Sequence, residues 1–147
     1  RLLAESKLES PYQLDLVRGS HLIVEQLCAQ AYLLESPYDR RIFFILPWQG
    51  KTLIGTTEVR QTLEDKIECS PDEQTYLLNA FAHYFRNIQP NIIGTFSGVR
   101  PLLRSALDPS RATREYAIHR TGNLVTVLGG KWTTAMALAD KVAHAIH

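Results

Sequence analysis

The sequence predicts an α+β fold: a mostly antiparallel β-sheet with flanking helices. Runs of β-branched and aromatic residues alternate with turn signals, one strongly capped helix follows, and a second amphipathic helix closes the chain. The order of strands, helix, strands and helix differs from the regular alternation that builds a parallel sheet. The 147 residues suit one domain, and no repeat or flexible linker divides them.

The first half of the chain reads as strands. The apolar run His21–Val24 marks the first strand, and the polar connection Trp48–Lys51, which contains a glycine, predicts a hairpin between two β-rich runs. The predicted strands cover residues 20–27, 31–34, 41–47 and 52–59.

Residues 70–88 change to a helical period. Ser70 can cap the helix, Pro71 suits its first position, and Glu73 completes a capping box. Pro90 ends the predicted helix. One apolar stripe, which we expect to be buried, consists of Leu77, Phe81, Tyr84 and Ile88.

Strand patterns return after this helix. Residues 92–103 form a run that Gly94, Gly98 and Pro101 interrupt, so we expect a broken strand. The connection Arg120–Asn123, with its Gly-Asn turn, predicts a second hairpin. The flanking strands are residues 116–119 and 124–128.

The turn Gly129-Gly130-Lys131 joins the last strand to the last helix. The start of a helix presents N–H groups and a partial positive charge, Lys131 adds a full charge, and Thr133 or Thr134 can cap. The turn is therefore a candidate anion site, although a tight turn with a helix cap explains the same residues. The apolar face of the helix consists of Ala135, Leu138, Ala139, Val142 and Ile146.

Composition excludes several classes of protein. A net charge of +1 with 45% hydrophobic residues is typical of a globular domain rather than a disordered tail. The purest apolar run, Ile42–Leu46, is too short to cross a bilayer. Cys28 and Cys69 indicate neither a disulfide scaffold nor a metal site. The sequence lacks the interleaved basic and aromatic residues that are typical of nucleic-acid binding.

Charge is uneven along the chain. Residues 1–97 carry a net charge of −3, and residues 98–147 carry +4, which favours an anion site in the C-terminal third. Arg100 precedes Pro101, which favours extended backbone, so its planar guanidinium is a candidate anion ligand or a structural ion pair. His21 is a candidate general base or a hydrogen-bonded structural imidazole. No glycine-rich dinucleotide fingerprint or phosphate loop occurs.

Five blocks in order along the chain resemble the FAD-dependent glycerol-3-phosphate dehydrogenases, of the D-amino-acid-oxidase-like flavoprotein superfamily. They include Val-Arg-Gly-Ser-His, Gly-Thr-Thr-Glu, Ser-Gly-Val-Arg-Pro-Leu, Thr-Arg-Glu-Tyr and Gly-Gly-Lys-Trp-Thr-Thr. The blocks are residues 17–24, 44–58, 97–102, 113–116 and 129–134.

The resemblance implies a part of a larger flavoenzyme. Residues 1–147 would form one segment, with a β-rich substrate-binding part at about 17–120 and a strand and helix returning to the FAD domain at about 121–147. The N-terminal Rossmann-like part and the C-terminal helical region of the family would lie outside this sequence. The implied reaction oxidises sn-glycerol 3-phosphate to dihydroxyacetone phosphate by hydride transfer to FAD.

The resemblance also assigns roles to residues. His21, Arg100 and Lys131 would be catalytic, with His21 taking or orienting the C2 hydroxyl proton. Arg100, Arg114 and Thr57 would bind substrate, and Thr56 would help to shape the pocket. Flavin contacts would come from Gly129, Gly130, Lys131, Thr133 and Thr134.

The implied partners are glycerol 3-phosphate and a quinone that accepts the electrons. The resemblance favours a cytoplasmic location and leaves open a peripheral attachment at the inner face of the membrane and a homodimer. Two alternatives stay open: an oxidase that uses oxygen, and a non-catalytic anion-binding or interaction module on the same fold.

Overall fold

The computed structural model describes residues 2–104 and 116–146. The fold is α+β, as predicted. Its helices are α1 (Leu2–Glu5), α2 (Pro71–Tyr84) and α3 (Ala135–Ile146), and a 3₁₀ turn at Trp132–Thr134 precedes α3. Its strands are β1 (Leu14–Val24), β2 (Tyr32–Glu35), β3 (Ile42–Trp48), β4 (Lys51–Gly55), β5 (Val59–Gln61), β6 (Ile92–Leu103), β7 (Tyr116–Thr121) and β8 (Leu124–Gly129).

The chain forms two compact units. One is Val17–Arg100, and the other combines Arg1–Leu16 with Pro101–His147. Within the described ranges, no helix is both long and apolar enough to span a membrane.

A six-stranded sheet dominates the Val17–Arg100 unit. Its order is β2-β3-β4-β1-β5, and β6 also pairs with β1. The pairs β2–β3, β3–β4 and β1–β4 are antiparallel. In this register Phe44, Gly55 and His21 lie side by side across β3, β4 and β1. The residue opposite His21 on β4 is therefore a glycine, which has no side chain.

The core of this unit lies between the sheet and α2. Alternate residues of the strands point into it, as the period of two requires. The predicted capping box is confirmed: the Glu73 N–H donates to the Ser70 hydroxyl at 3.3 Å, and the Ser70 N–H donates to the Glu73 carboxylate at 3.0 Å. The buried cluster includes Leu22, Val24, Phe43, Ile45, Ile54, Leu77 and Phe81.

The end of α2 differs from the prediction. The helix ends at Tyr84 rather than at Ile88, and Tyr84 is 43% exposed. The chain turns at Phe85, whose ring stacks on Phe81 with centroids 4.8 Å apart. Phe85 thus packs against the core in place of Ile88, and the predicted four-residue stripe was wrong beyond Phe81.

Strand boundaries also differ. Strand β1 begins at Leu14 rather than at residue 20, since its polar residues Arg18 and Ser20 are paired inside the protein and gave no apolar signal. The predicted run 52–59 is two strands, β4 and β5. Strand β6 runs without a break through Gly94, Gly98 and Pro101, which corrects the predicted interruption.

The second unit contains the hairpin β7–β8 and α3. The strands pair antiparallel from Tyr116 and Gly129 to Thr121 and Leu124, so the turn has two residues rather than four. Helix α3 contacts both strands. Its predicted apolar face is only partly covered: Leu138 and Val142 are half-buried, whereas Ala135, Ala139 and Ile146 are exposed.

Candidate functional site

The imidazole of His21 on β1 contacts an aromatic ring of one neighbouring strand and a glycine of the other. Its ring stacks on Phe96 of β6 with centroids 4.5 Å apart and planes 3° apart. On β4, a Cβ at Gly55 would lie 2.3 Å from the His21 Cδ2 atom, so only glycine leaves room for the imidazole. The ring is therefore fixed by its neighbours on two strands.

The electrostatics favour the neutral form of His21. Burial lowers the pKa of His21 from its usual value of 6.5, and the positive charge of Arg100 lowers it further. Within the part of the chain that the structure describes, Nδ1 of His21 is buried and has no hydrogen-bond partner. A neutral imidazole has one unprotonated ring nitrogen, and such a nitrogen can accept a proton.

Arg100 of β6 lies close enough to His21 for its charge to lower the pKa of the imidazole. Its Nη2 donates to the Thr56 hydroxyl at 2.9 Å, and its Nη1 lies 3.5 Å from the Glu58 carboxylate. A Cβ at Gly19 would lie 2.2 Å from Nη2, so the guanidinium occupies space that glycine leaves open on β1. Arg100 is half-buried, with 25% of its side chain exposed. A positive charge is thus positioned near a neutral histidine.

Thr57 occupies a different position from Thr56. It is 3% exposed, its hydroxyl donates to Glu73 at 2.6 Å, and it accepts the Ser20 N–H at 2.9 Å. The Thr57 hydroxyl thus bonds to Ser20 and Glu73 in the interior, whereas the hydroxyl that accepts from Arg100 belongs to Thr56. The predicted contact of Thr57 with substrate stays a prediction.

Glu73 is the centre of a buried polar network. Its carboxylate accepts from Arg18 at 2.8 Å and from Ser20 at 2.7 Å, in addition to Thr57 and the Ser70 N–H. Burial alone raises the pKa of Glu73, but the hydrogen bonds outweigh burial and lower it to about 2. The ionised carboxylate therefore joins α2 to β1, which carries His21, and to the connection between β4 and β5, which carries Thr56.

Sequence reasoning missed several of these residues. Glu73 was predicted only as part of a helix cap, and Glu58 was not singled out for a role of its own. Gly19 and Gly55 each lie inside a strand, where glycine often marks a close approach of another group. Gly19 is also two residues before His21, on the same face of β1. That spacing was the available signal.

The Gly129-Gly130 turn lies in the other unit. Both glycines have positive φ, +76° and +97°, and a Cβ at Gly130 would lie 3.2 Å from Leu138 of α3. Lys131 is exposed with extended backbone at the N-cap. The predicted threonine cap is wrong for the 3₁₀ turn: its N-cap is Lys131, which makes no side-chain capping bond within the described residues, and the Thr134 hydroxyl donates to the Lys131 carbonyl at 3.2 Å.

The predicted residues thus fall into two groups and one exception. His21, Thr56 and Arg100 come together in the Val17–Arg100 unit, with Thr57 behind them. The flavin-contacting candidates from Gly129 to Thr134 form one turn in the other unit, with the two glycines half-buried and the residues from Lys131 exposed. Arg114 lies outside the described residues.

Comparison with protein families and curated proteins gives consistent matches. The profile of the DAO family, described as FAD dependent oxidoreductase, matches residues 1–145. The aerobic glycerol-3-phosphate dehydrogenase of Escherichia coli K12 is 38% identical over 145 residues, which is 90% of this chain and 29% of that protein. The glycerol-3-phosphate dehydrogenase of Pseudomonas aeruginosa is 40% identical over 147 residues, 91% of this chain and 28% of that protein.

A further relative carries a different name, and a solved structure has the same fold. The D-erythritol 1-phosphate dehydrogenase of Brucella abortus is 38% identical over 140 residues, 88% of this chain and 28% of that protein. The X-ray structure of the glycerol-3-phosphate dehydrogenase from Bacillus halodurans complexed with FAD superposes with a TM-score of 0.81 at 25% identity, covering 99% of this chain and 29% of that one. The chain therefore spans less than a third of the length of these relatives.

Proposed function

Because the chain belongs to the DAO family of FAD-dependent oxidoreductases, we propose that it is part of an enzyme that oxidises sn-glycerol 3-phosphate to dihydroxyacetone phosphate. The observation that carries the proposal is the proximity of Arg100 to a half-buried His21, whose pKa is lowered by burial and by the charge of Arg100. Relatives named glycerol-3-phosphate dehydrogenase support the choice of substrate.

Arg100 is the proposed substrate ligand. A guanidinium is a planar, permanently charged donor set that matches an anionic oxygen group in geometry and charge. Thr56 and Glu58 fix its orientation from two sides, at 2.9 and 3.5 Å. A ligand held in this way loses little conformational entropy when the substrate binds.

His21 is the proposed base. Oxidation of the secondary alcohol requires loss of the C2 hydroxyl proton as the hydride leaves C2. Burial and Arg100 keep the imidazole neutral, so a ring nitrogen can accept that proton. The stacking of Phe96 and the bare backbone of Gly55 hold the ring in one orientation. When bound, FAD supplies the hydride acceptor.

The turn before α3 fits an anionic cofactor edge. Its positive-φ glycines, the exposed Lys131 and the start of a helical segment give a positive end. We assign Gly129, Gly130, Lys131, Thr133 and Thr134 to contact with the isoalloxazine ring. Lys131 would stabilise negative charge that develops there.

The remaining assignments follow from the same proposal. Thr57, whose hydroxyl is oriented by hydrogen bonds with Ser20 and Glu73, contributes to substrate binding, and Arg114 assists with the phosphate. Residues from about 17 to 120 form the substrate-binding part, and those from about 121 to 147 belong with the FAD domain. A quinone as acceptor, a cytoplasmic location, peripheral membrane attachment and a homodimer complete the proposal.

Steady-state turnover of the full-length holoenzyme tests this function. We expect oxidation of sn-glycerol 3-phosphate with a soluble quinone and little oxygen consumption. Rapid oxygen consumption with hydrogen peroxide as product would make the protein an oxidase. A higher kcat/KM for D-erythritol 1-phosphate than for sn-glycerol 3-phosphate would make the former the substrate. Binding of substrate without turnover would favour a non-catalytic module.

A further inference from the structure

We propose that Glu58 is a positioning residue that acts through Arg100, holding the guanidinium and limiting how tightly the site binds an anion. This inference rests on the proposed function, since it takes Arg100 as the ligand of an anionic substrate.

The geometry places Glu58 directly against the guanidinium. Its Oε1 lies 3.5 Å from Nη1 of Arg100, and only 14% of its side chain is exposed. Its other oxygen, Oε2, is buried and accepts no hydrogen bond within residues 2–104 and 116–146. A buried carboxylate oxygen without a donor is costly to keep, and the ion pair with Arg100 is a contact that offsets this cost.

The backbone of Glu58 is fixed as well. Its carbonyl accepts a hydrogen bond from Nη1 of Arg41 at 3.1 Å, and Arg41 in turn pairs with Asp39 at 3.2 Å. The carboxylate therefore approaches Arg100 from an anchored segment rather than from a mobile loop tip. Thr56 contacts the other terminal nitrogen, so the guanidinium is held on two sides by groups of different charge.

The two sides have different consequences for substrate. Thr56 is neutral and only orients Arg100, whereas Glu58 offsets its positive charge and repels an approaching phosphate. At 3.5 Å the pair is longer than a short charge-assisted hydrogen bond, so an anionic substrate can compete for the guanidinium. Glu58 thus favours release of an anionic product while it keeps Arg100 in place.

Glu58→Gln in the full-length holoenzyme separates this role from a structural one. The substitution keeps the shape of the side chain and removes its charge. We expect the dissociation constant for inorganic phosphate, measured by isothermal titration calorimetry, to fall about threefold to tenfold. The KM for sn-glycerol 3-phosphate should fall by a similar factor, and kcat should fall because the anionic product leaves more slowly.

Two other variants are controls. Glu58→Asp keeps the charge and should leave the phosphate affinity within about twofold of the wild type. Glu35→Gln removes a carboxylate from the exposed pair with Arg40 and should not change it. Where Glu58→Gln does not fold, Glu58→Ala is the second neutral variant and should also bind phosphate more tightly.

Weaker phosphate binding by the neutral variants would overturn the proposal, as would a change of equal size in Glu35→Gln or no phosphate binding by any variant. The calorimetry does not depend on turnover. A wild type that binds phosphate but does not oxidise sn-glycerol 3-phosphate would therefore refute the proposed function while the Glu58 comparison still decides this inference.

Discussion

Replacing Glu73 with Gln should destabilise the protein strongly near neutral pH and much less in acid. The pKa of Glu73 falls from its usual 4.5 to about 2 on folding. At 1.36 kcal/mol per unit, the ionised carboxylate contributes about 3 kcal/mol to the free energy of unfolding. Arg18, with 11% of its side chain exposed, would also lose its charged partner, so we expect a total loss of about 3–5 kcal/mol at pH 6.5.

The sign of the pH dependence follows from the lowered pKa. The contribution is complete above the unfolded pKa and is lost as the pH falls through 4.5 toward 2. At pH 3 the wild type has lost about 2 kcal/mol of the stabilisation from Glu73. The Gln variant loses none at this position, because its amide does not titrate. The difference in unfolding free energy between wild type and variant should therefore narrow by about 2 kcal/mol between pH 6.5 and pH 3.

Urea unfolding at the two pH values, followed by far-UV circular dichroism, measures both free energies. Glu35→Gln is the matched control, because Glu35 pairs with Arg40 at the surface, and it should change the unfolding free energy little at either pH. An equal gap between wild type and Glu73→Gln at both pH values would refute the reasoning, since it would mean that Glu73 is not an ionised group with a lowered pKa.

Three further predictions concern the site. Arg100→Lys keeps the charge but loses the planar donor set, which costs about 1–3 kcal/mol, so kcat/KM for sn-glycerol 3-phosphate should fall about tenfold to a hundredfold; unchanged kinetics would remove Arg100 from the substrate site. His21→Asn should lower kcat about 10²–10⁴-fold and abolish the acidic limb of the pH profile, which in the wild type should lie below pH 6.5; a loss under about threefold would make His21 structural. The 147-residue chain expressed alone should elute colourless from gel filtration, because residues 129–134 address only the flavin ring; stoichiometric FAD on it would show that the main cofactor contacts lie within this chain.

The elements that sequence reasoning predicted well are those whose signals are local. The Ser70–Glu73 capping box, the hairpin at Gln49–Gly50 and the hairpin at Gly122–Asn123 each depend on a few adjacent residues. Each of these signals involves residues within one turn of the chain, so the local structure it predicts does not depend on distant contacts. The α+β class follows from their order.

The errors concern contacts between residues distant in sequence. Strand β1 extends through Arg18 because Glu73, 55 residues away, accepts its hydrogen bond. Helix α2 ends early because Phe85 turns back onto Phe81 and the core. Polar or aromatic residues at such positions carry no period that reveals their partners.

The candidate site shows the same division. Motif resemblance led to His21 and Arg100, but the residues that hold them, Gly19, Gly55 and Glu58, become visible only in three dimensions. A glycine that leaves room for a side chain on the neighbouring strand has no signature beyond its position inside a strand.

Anaerobic mixing of the full-length, FAD-loaded protein with sn-glycerol 3-phosphate tests the central claim most directly. The wild type should lose the 450 nm flavin absorbance in a single turnover, and Arg100→Lys should do so more slowly and only at higher substrate concentration. A wild type whose flavin stays oxidised with saturating sn-glycerol 3-phosphate, while a chemical reductant bleaches it, would contradict the account.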